Sequence, residues 1–316
     1  MKRFFPILLL LLGSFANVIA QDSKHLPKDS QGRIVKHTNY TLNYIEKYEQ
    51  PSWVAYELTK TELSKHLKRT DNFRPDPKVS THSAGLSDYR GSGYDRGHLA
   101  PAADMAFTSQ AMSESFFLSN MSPQHPKLNR GQWRLLEEQV RRWAKKEGKV
   151  YIVTGPVLKP GLKTIGKNRV AIPQYYYKII YDLTPPKKAI AFLMPNSECS
   201  KGFMAYQTSI DKIEKLTHID FFAELKDSEE NQMEASVSKQ WKTNTTNHNY
   251  KPKASQSNKV NINTASQKRL MTLPGIGEKF AKEIIRHRPY SSIYELKKIK
   301  GIGDKTVAKI KPHITK

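Results

Sequence analysis

The sequence predicts an α+β body joined to a small all-α module. Three observations carry that prediction. A polar stretch from Ser228 to Ser257 divides the chain, a doubled glycine hairpin follows it, and the part ahead of it mixes sheet-type aromatic runs with one amphipathic helix. The balance of 52 Lys and Arg against 29 Asp and Glu leaves a net charge of +23, with 38% hydrophobic and 10% aromatic residues. That content suffices for a core and excludes a wholly disordered chain. The charge points to a polyanionic partner, a nucleic acid or an acidic membrane surface. The single cysteine, Cys199, excludes an intramolecular disulfide framework and a zinc site built from several thiolates.

Taken in order, residues 1–20 read as a signal peptide: basic Lys2 and Arg3, an apolar run from Phe4 to Phe15, then Val18-Ile19-Ala20 ahead of the polar Gln21. Asn17 and the shortness of the run argue against a membrane anchor, and no later stretch is apolar enough to span a bilayer. The mature chain is therefore expected to be secreted or periplasmic. The body is expected over 45–227. Residues 228–257 cannot bury enough apolar surface to offset their ordering entropy and read as a linker, interrupted by Val237 and Trp241, which mark a short helix.

The module at 258–316 holds 14 Lys and Arg against 4 Asp and Glu, so it carries +10 in far fewer residues than the body. Leu273-Pro274-Gly275-Ile276-Gly277-Glu278-Lys279 recurs as Ile299-Lys300-Gly301-Ile302-Gly303-Asp304-Lys305. Thr264 with Gln267, and Ser292 with Glu295, fit an N-cap and its reciprocal partner. Each unit thus reads helix, glycine hairpin, helix. Glycine permits positive φ and lets backbone N–H groups approach a phosphate closely, while Lys279 and Lys305 reach the same strand. Such binding ignores sequence and depends on salt. A helical bundle used for protein contacts is the competing reading of the same residues.

In the body, Asp88 to Pro101 surrounds His98 with glycines and cations and reads as a tight turn entering a strand. A histidine there is suited to take a proton from water, and Arg96, with Arg90 near it, is suited to hold a phosphodiester. The plainer alternative is an Asp95–Arg96 ion pair beside a satisfied histidine. From Gln132 to Lys146, Trp133, Leu136, Val140 and Trp143 fall at three- and four-residue steps and predict an amphipathic helix with Asn129 at its N-terminal edge. On an ideal helix Glu137 lies roughly 80° round and about 12 Å up from Asn129. The two could not both grip one ion, so Asn129 would bind directly and Glu137 through water, an arrangement that suits Mg²⁺.

Together these blocks resemble the DNA/RNA non-specific endonucleases, the ββα-metal (His-Me finger) nucleases built on a central antiparallel sheet. Asp95-Arg96-Gly97-His98 matches the family motif and the Asn129-to-Glu137 spacing matches its metal helix. The likeness continues through Val150–Pro156, Ile165–Pro173 and Phe192–Asn196 and covers about residues 50–222. Val260–Ala265 leading into the doubled hairpin resembles the helix-hairpin-helix domain of competence DNA receptors. The resemblance implies an endonuclease that leaves 5′-phosphate ends, with Mg²⁺, or Mn²⁺ in its place. It implies His98 as general base, Arg96 and Arg74 on the phosphate, Asn120 supporting the site and Asp95 opening the motif. Gly275, Gly277, Lys279, Gly301, Gly303 and Lys305 would contact DNA.

Double-stranded DNA is then the expected partner, RNA a further one, and a homodimer is the habit of the family. The competing class is a non-catalytic DNA-binding or uptake protein on the same scaffold. Tyr175-Tyr176-Tyr177 and Phe221-Phe222 read as core or sheet-face residues rather than stacking platforms. His82 and His125 have no nameable partner, Cys199 reads as a small buried side chain, and Lys145-Lys146 as a solvated helix end.

Overall fold

The computed structural model describes residues 26–81, 83–223, 225, 233, 241 and 259–315; the signal segment, His82, Val237 and most of the expected linker lie outside the described residues. The chain forms two compact units, Met1–Asn244 and Thr245–Lys316.

In chain order the strands of the first unit are β1 (Arg33–Lys36), β2 (Thr41–Ile45), β3 (Gln50–Thr59), β4 (Asp95–His98), β5 (Met121–Gln124), β6 (Lys149–Pro156), β7 (Thr164–Ile165), β8 (Val170–Ala171), β9 (Tyr175–Asp182), β10 (Lys188–Pro195) and β11 (Gln207–Thr208). Its helices are α1 (Leu86–Tyr89), α2 (Ser109–Glu114), α3 (Arg134–Glu147) and α4 (Ile210–Thr217). Seven strands form one sheet in the order β1-β2-β3-β6-β9-β10-β11, antiparallel throughout. β4 and β5 form a separate two-stranded ribbon, and so do β7 and β8.

The sheet is covered on both faces, which is why its central strands read as nearly continuous apolar runs. Alternation sends Tyr56, Ile152, Ile180 and Phe192 to one side, where they pack with Leu136, Val140 and Trp143 of α3. It sends Ala55, Val153, Ile179 and Ala191 to the other, against Ile210 and Ile213 of α4. Each Val, Leu, Ile or Phe among them contributes about 1.5–3 kcal/mol on burial.

Two expected boundaries move. The sheet begins at β1, ahead of the expected start at 45, and Lys28 bridges to Asp220. β1 went unread because Val35 alone of its four residues is buried, too little for a period to show. Within the expected linker, Trp241 is buried against Trp143 at 5.2 Å between ring centroids, with Lys188 Nζ 5.1 Å from its ring centre, and Met233 is buried in the core under α4. A lone aromatic in a polar stretch gives no periodicity, yet its area suffices to dock it.

The expected helix is α3, but it starts at Arg134, not Gln132. Leu128–Trp133 forms a π-helical turn in which Gly131 leaves helical geometry at φ −103°, ψ −116°. The ideal-helix separation expected between Asn129 and Glu137 therefore does not apply, because the chain kinks between them. Such turns inside helices often mark functional sites.

In the second unit, Glu278–Arg286 and Asp304–Ile310 are α-helices, Gln267–Leu270 is a single turn, and Ile293–Lys298 is 3₁₀ rather than α. Ser266, not Thr264, caps the first turn by accepting from Arg269 N. Ser292 caps as expected, while Glu295 reaches back to Ser291 N. A two-residue parallel pairing, β12 (Val260–Asn261) with β13 (Ile314–Thr315), joins the ends of this otherwise helical module. Its core sets Ile276, Ile284, Ile302 and Ile310 together, so the two halves of the repeat bury one common interior.

Candidate active site

The ribbon presents the Asp95-Arg96-Gly97-His98 motif. Its register pairs Asp95 with Gln124, Arg96 with Pro123, Gly97 with Ser122 and His98 with Met121. Strand alternation puts Arg96 and His98 on one face and Asp95 and Gly97 on the other. A Cβ on Gly97 would lie 2.2 Å from Gln124 Oε1, so only glycine lets the strand pass over that side chain.

His98 stands edge-on between Phe116 and Phe73, with ring centroids at 5.1 and 5.6 Å. Arg96 lies 4.1 Å over the Phe73 ring and Arg69 lies 4.7 Å over Phe116, so each aromatic carries a guanidinium beside the imidazole. The His98 Nε2 is buried and has no hydrogen-bond partner. Burial, then the charges of Arg69 and Arg96, pull this imidazole down to about 3. It is therefore neutral at physiological pH, the form a general base requires.

On the opposite face Asp95 accepts a fork from Arg130 and, at 2.9 Å, the amide Nδ2 of Asn129. That bond fixes which way the Asn129 amide points: its nitrogen faces Asp95 and its oxygen is turned away. The kink at Gly131 separates Asn129 from Glu137, whose carboxyl burial pushes up while the Lys178 charge pulls it down. Asp104 and Arg141 complete the charged neighbourhood. Asp104 accepts from Tyr56 Oη and Arg141, both at 2.7 Å, and the buried Lys178 donates to Thr154 Oγ1 at 2.6 Å. His98 lies three residues from Asp95 along β4, about 10 Å, so the imidazole and the Asp95–Asn129 pair flank the same short strand from opposite faces.

The remaining expected residues fall elsewhere. Asn120 is fully buried and clamps the chain after His98, accepting from Ala100 N and donating to the carbonyls of Ala100 and Ser115. It is a positioning residue. Arg74, expected on the phosphate, donates to Ser113 and to the Asn72 carbonyl and stacks 4.1 Å over Phe117, so it braces the end of α2 instead. The guanidinium beside His98, besides that of Arg96, is that of Arg69, over Phe116. In the helical module Gly275 and Gly301 adopt positive φ, whereas Gly277 and Gly303 open the helices in extended conformation. Lys279 and Lys305 are exposed beside them.

A profile of the DNA/RNA non-specific endonucleases matches residues 20–228, about two thirds of the chain. The chain belongs to that family. A helix-hairpin-helix profile matches residues 255–315. A mitochondrial nuclease EXOG of Danio rerio is 37% identical over 209 residues, covering 60% of each chain. A nuclease of Nostoc sp. is 34% identical over 63% of this chain and 76% of its own. The chain thus spans about 60% of the length of that mitochondrial relative. A solved structure of EndoG in complex with EndoGI superposes with a TM-score of 0.59 at 30% identity, covering 63% of this chain and 89% of that one. The ribbon β4–β5 followed by the kinked α3 is the ββα unit of this fold.

A divalent cation belongs to such nucleases, and the residues present fit one. Among the described residues no cluster of three or more His, Cys, Asp or Glu could hold a metal ion. Asp95 is already occupied by Arg130 and Asn129, which leaves the Asn129 amide oxygen as the oriented donor. A single amide oxygen suits a hard ion that keeps most of its water. Sequence reading missed Arg69, Arg130, the Phe73–Phe116 clamp and Gln124, whose buried amide has neither nitrogen nor oxygen partnered. Gln124 was findable only from the β4–β5 register, which places it opposite Asp95.

Proposed function

We propose that the chain is an exported, metal-dependent endonuclease that hydrolyses phosphodiester bonds of DNA and RNA without base specificity, leaving 5′-phosphate ends. The observation that carries this is the neutral imidazole of His98 held between two guanidinium-bearing rings, on the same ribbon as the Asp95–Asn129 pair. Arg96 and Arg69 would bind the non-bridging oxygens of the scissile phosphate and stabilise its added charge. His98 would take the proton of the attacking water. Asn129 would hold Mg²⁺, or Mn²⁺, with Glu137 acting on it indirectly. When bound, the cation supplies Lewis-acid polarisation of the phosphoryl group.

The helical module would hold long DNA through its glycine hairpins and raise the effective concentration of substrate at the body. Export rests on the N-terminal sequence, and the amino-terminal residue of the protein recovered outside the cytoplasm tests it. Plasmid nicking with Mg²⁺, beside a chelator and His98→Ala, tests the chemistry. Loss in both controls supports the proposal. Retention of DNA with no cleavage by the wild type would replace it with the binding-protein reading.

A further inference from the structure

We infer that the body carries a groove for a single-stranded stretch of nucleic acid, running from the catalytic arginine onto the rings of Tyr94 and Tyr175. The inference rests on the nuclease reading and names the form of substrate the site takes. Two cavities meet at Tyr94. One, of about 300 Å³, is lined by Arg90, Tyr94, Asp95 and Arg96. The other, of about 550 Å³, continues from Tyr94 past Lys163, Tyr175 and Asn196.

Tyr175 is the odd member of its run. Tyr176 and Tyr177 are fully buried, whereas Tyr175, at the first position of β9, is 42% exposed and faces this cavity. Cations lie on both sides of Tyr94: Arg90 and Arg96, both exposed, line the first cavity, and the exposed Lys163 lines the second. Cations that track a backbone beside aromatic rings that stack on bases make a single-strand groove. A paired duplex keeps its base faces stacked inside and cannot offer them to a tyrosine.

The groove is also held in register with the cleavage site. Asn196 donates to the carbonyls of Pro123 and Pro173 and accepts from His125 N. Pro123 lies opposite Arg96 in the ribbon, so a base on Tyr175 would sit at a fixed distance from the phosphate on Arg96.

The test uses the full chain. Steady-state cleavage is compared on a single-stranded hexanucleotide, a duplex of the same sequence, and bis(p-nitrophenyl) phosphate, which is too small to reach Tyr175. Tyr175→Ala is expected to raise KM on the hexanucleotide about tenfold with kcat unchanged. Tyr175→Phe keeps the ring and is expected to match wild type. The duplex and the small diester should be insensitive to both changes. An iodouracil-substituted hexanucleotide, irradiated on the protein in chelator, should crosslink to the peptide carrying Tyr175. Unchanged KM in Tyr175→Ala, equal loss on the duplex, or crosslinks elsewhere would each overturn the groove. A crosslink at Tyr175 with no cleavage of any substrate would keep the groove and overturn the nuclease reading instead.

Discussion

The catalytic ribbon and the glycine hairpins are both suited to hold a phosphate, and they do so by opposite means. The ribbon, with the loop beside it, uses side chains: Arg96, His98 and the loop's Arg69 are ordered by Phe73 and Phe116. The hairpins use backbone, with Gly275 and Gly301 at positive φ and a small core of isoleucines beneath. Chemistry needs one proton acceptor placed to a fraction of an ångström, so it needs the larger scaffold. Non-specific retention needs only N–H groups and positive charge at the surface, which a module of two short repeats supplies.

The largest effect that sharpens this contrast is His98→Ala. Cleavage of plasmid should fall about 10²- to 10⁴-fold while gel-shift affinity stays within twofold. A comparable fall in affinity would show that the two regions do not divide the work. Next comes removal of 258–316. KM on long DNA should rise roughly ten- to hundredfold at moderate salt, with short oligonucleotides unaffected. Equal turnover of long DNA by the truncated chain would leave the module without a part in cleavage.

Gly97→Ala brings a Cβ within 2.2 Å of the Gln124 side chain. A thermal melt should show a loss of about 1–3 kcal/mol for overpacking this buried crossing. The pH dependence is milder. His98 takes up its proton only far below the ordinary histidine range, so the base stays active as pH falls through that range. Protonation of His98 should therefore lower initial rates less than about twofold between pH 7 and 5, where an unperturbed imidazole would lose more than tenfold. A steeper fall that Glu137→Gln abolishes belongs to the raised Glu137 carboxyl. The smallest effect belongs to Lys305→Ala, which should lower the salt slope of DNA binding by about one and leave cleavage of short substrates alone.

The two regions also differed in how much the sequence disclosed. The hairpins were legible because they repeat: Gly275 and Gly301 declare a turn twice at the same offset, and Ile276 and Ile302 declare the face that is buried. The ribbon's ends were legible through Asp95-Arg96-Gly97-His98 and Asn129. What joins them was not. The kink at Gly131 breaks a periodicity that looks continuous, because Trp133, Leu136 and Val140 keep helical spacing on its far side. Arg74 and Arg69 are five residues apart in one irregular loop, and only tertiary packing on Phe117 and Phe116 sorts them. Trp241 docks on Trp143 from a polar stretch, where no local pattern announces it.

The fork of Arg130 on Asp95 has a consequence for an incoming polyanion. A carboxylate that orients an amide would ordinarily leave a negative charge a few ångströms from where phosphate must arrive. Here the Arg130 fork covers both carboxylate oxygens, sharing Oδ2 with the Asn129 amide, and offsets that charge, so alignment of Asn129 raises no electrostatic barrier to approach. Arg130 acts as an insulator: its loss would slow the capture of substrate before it disturbed the bond-breaking step.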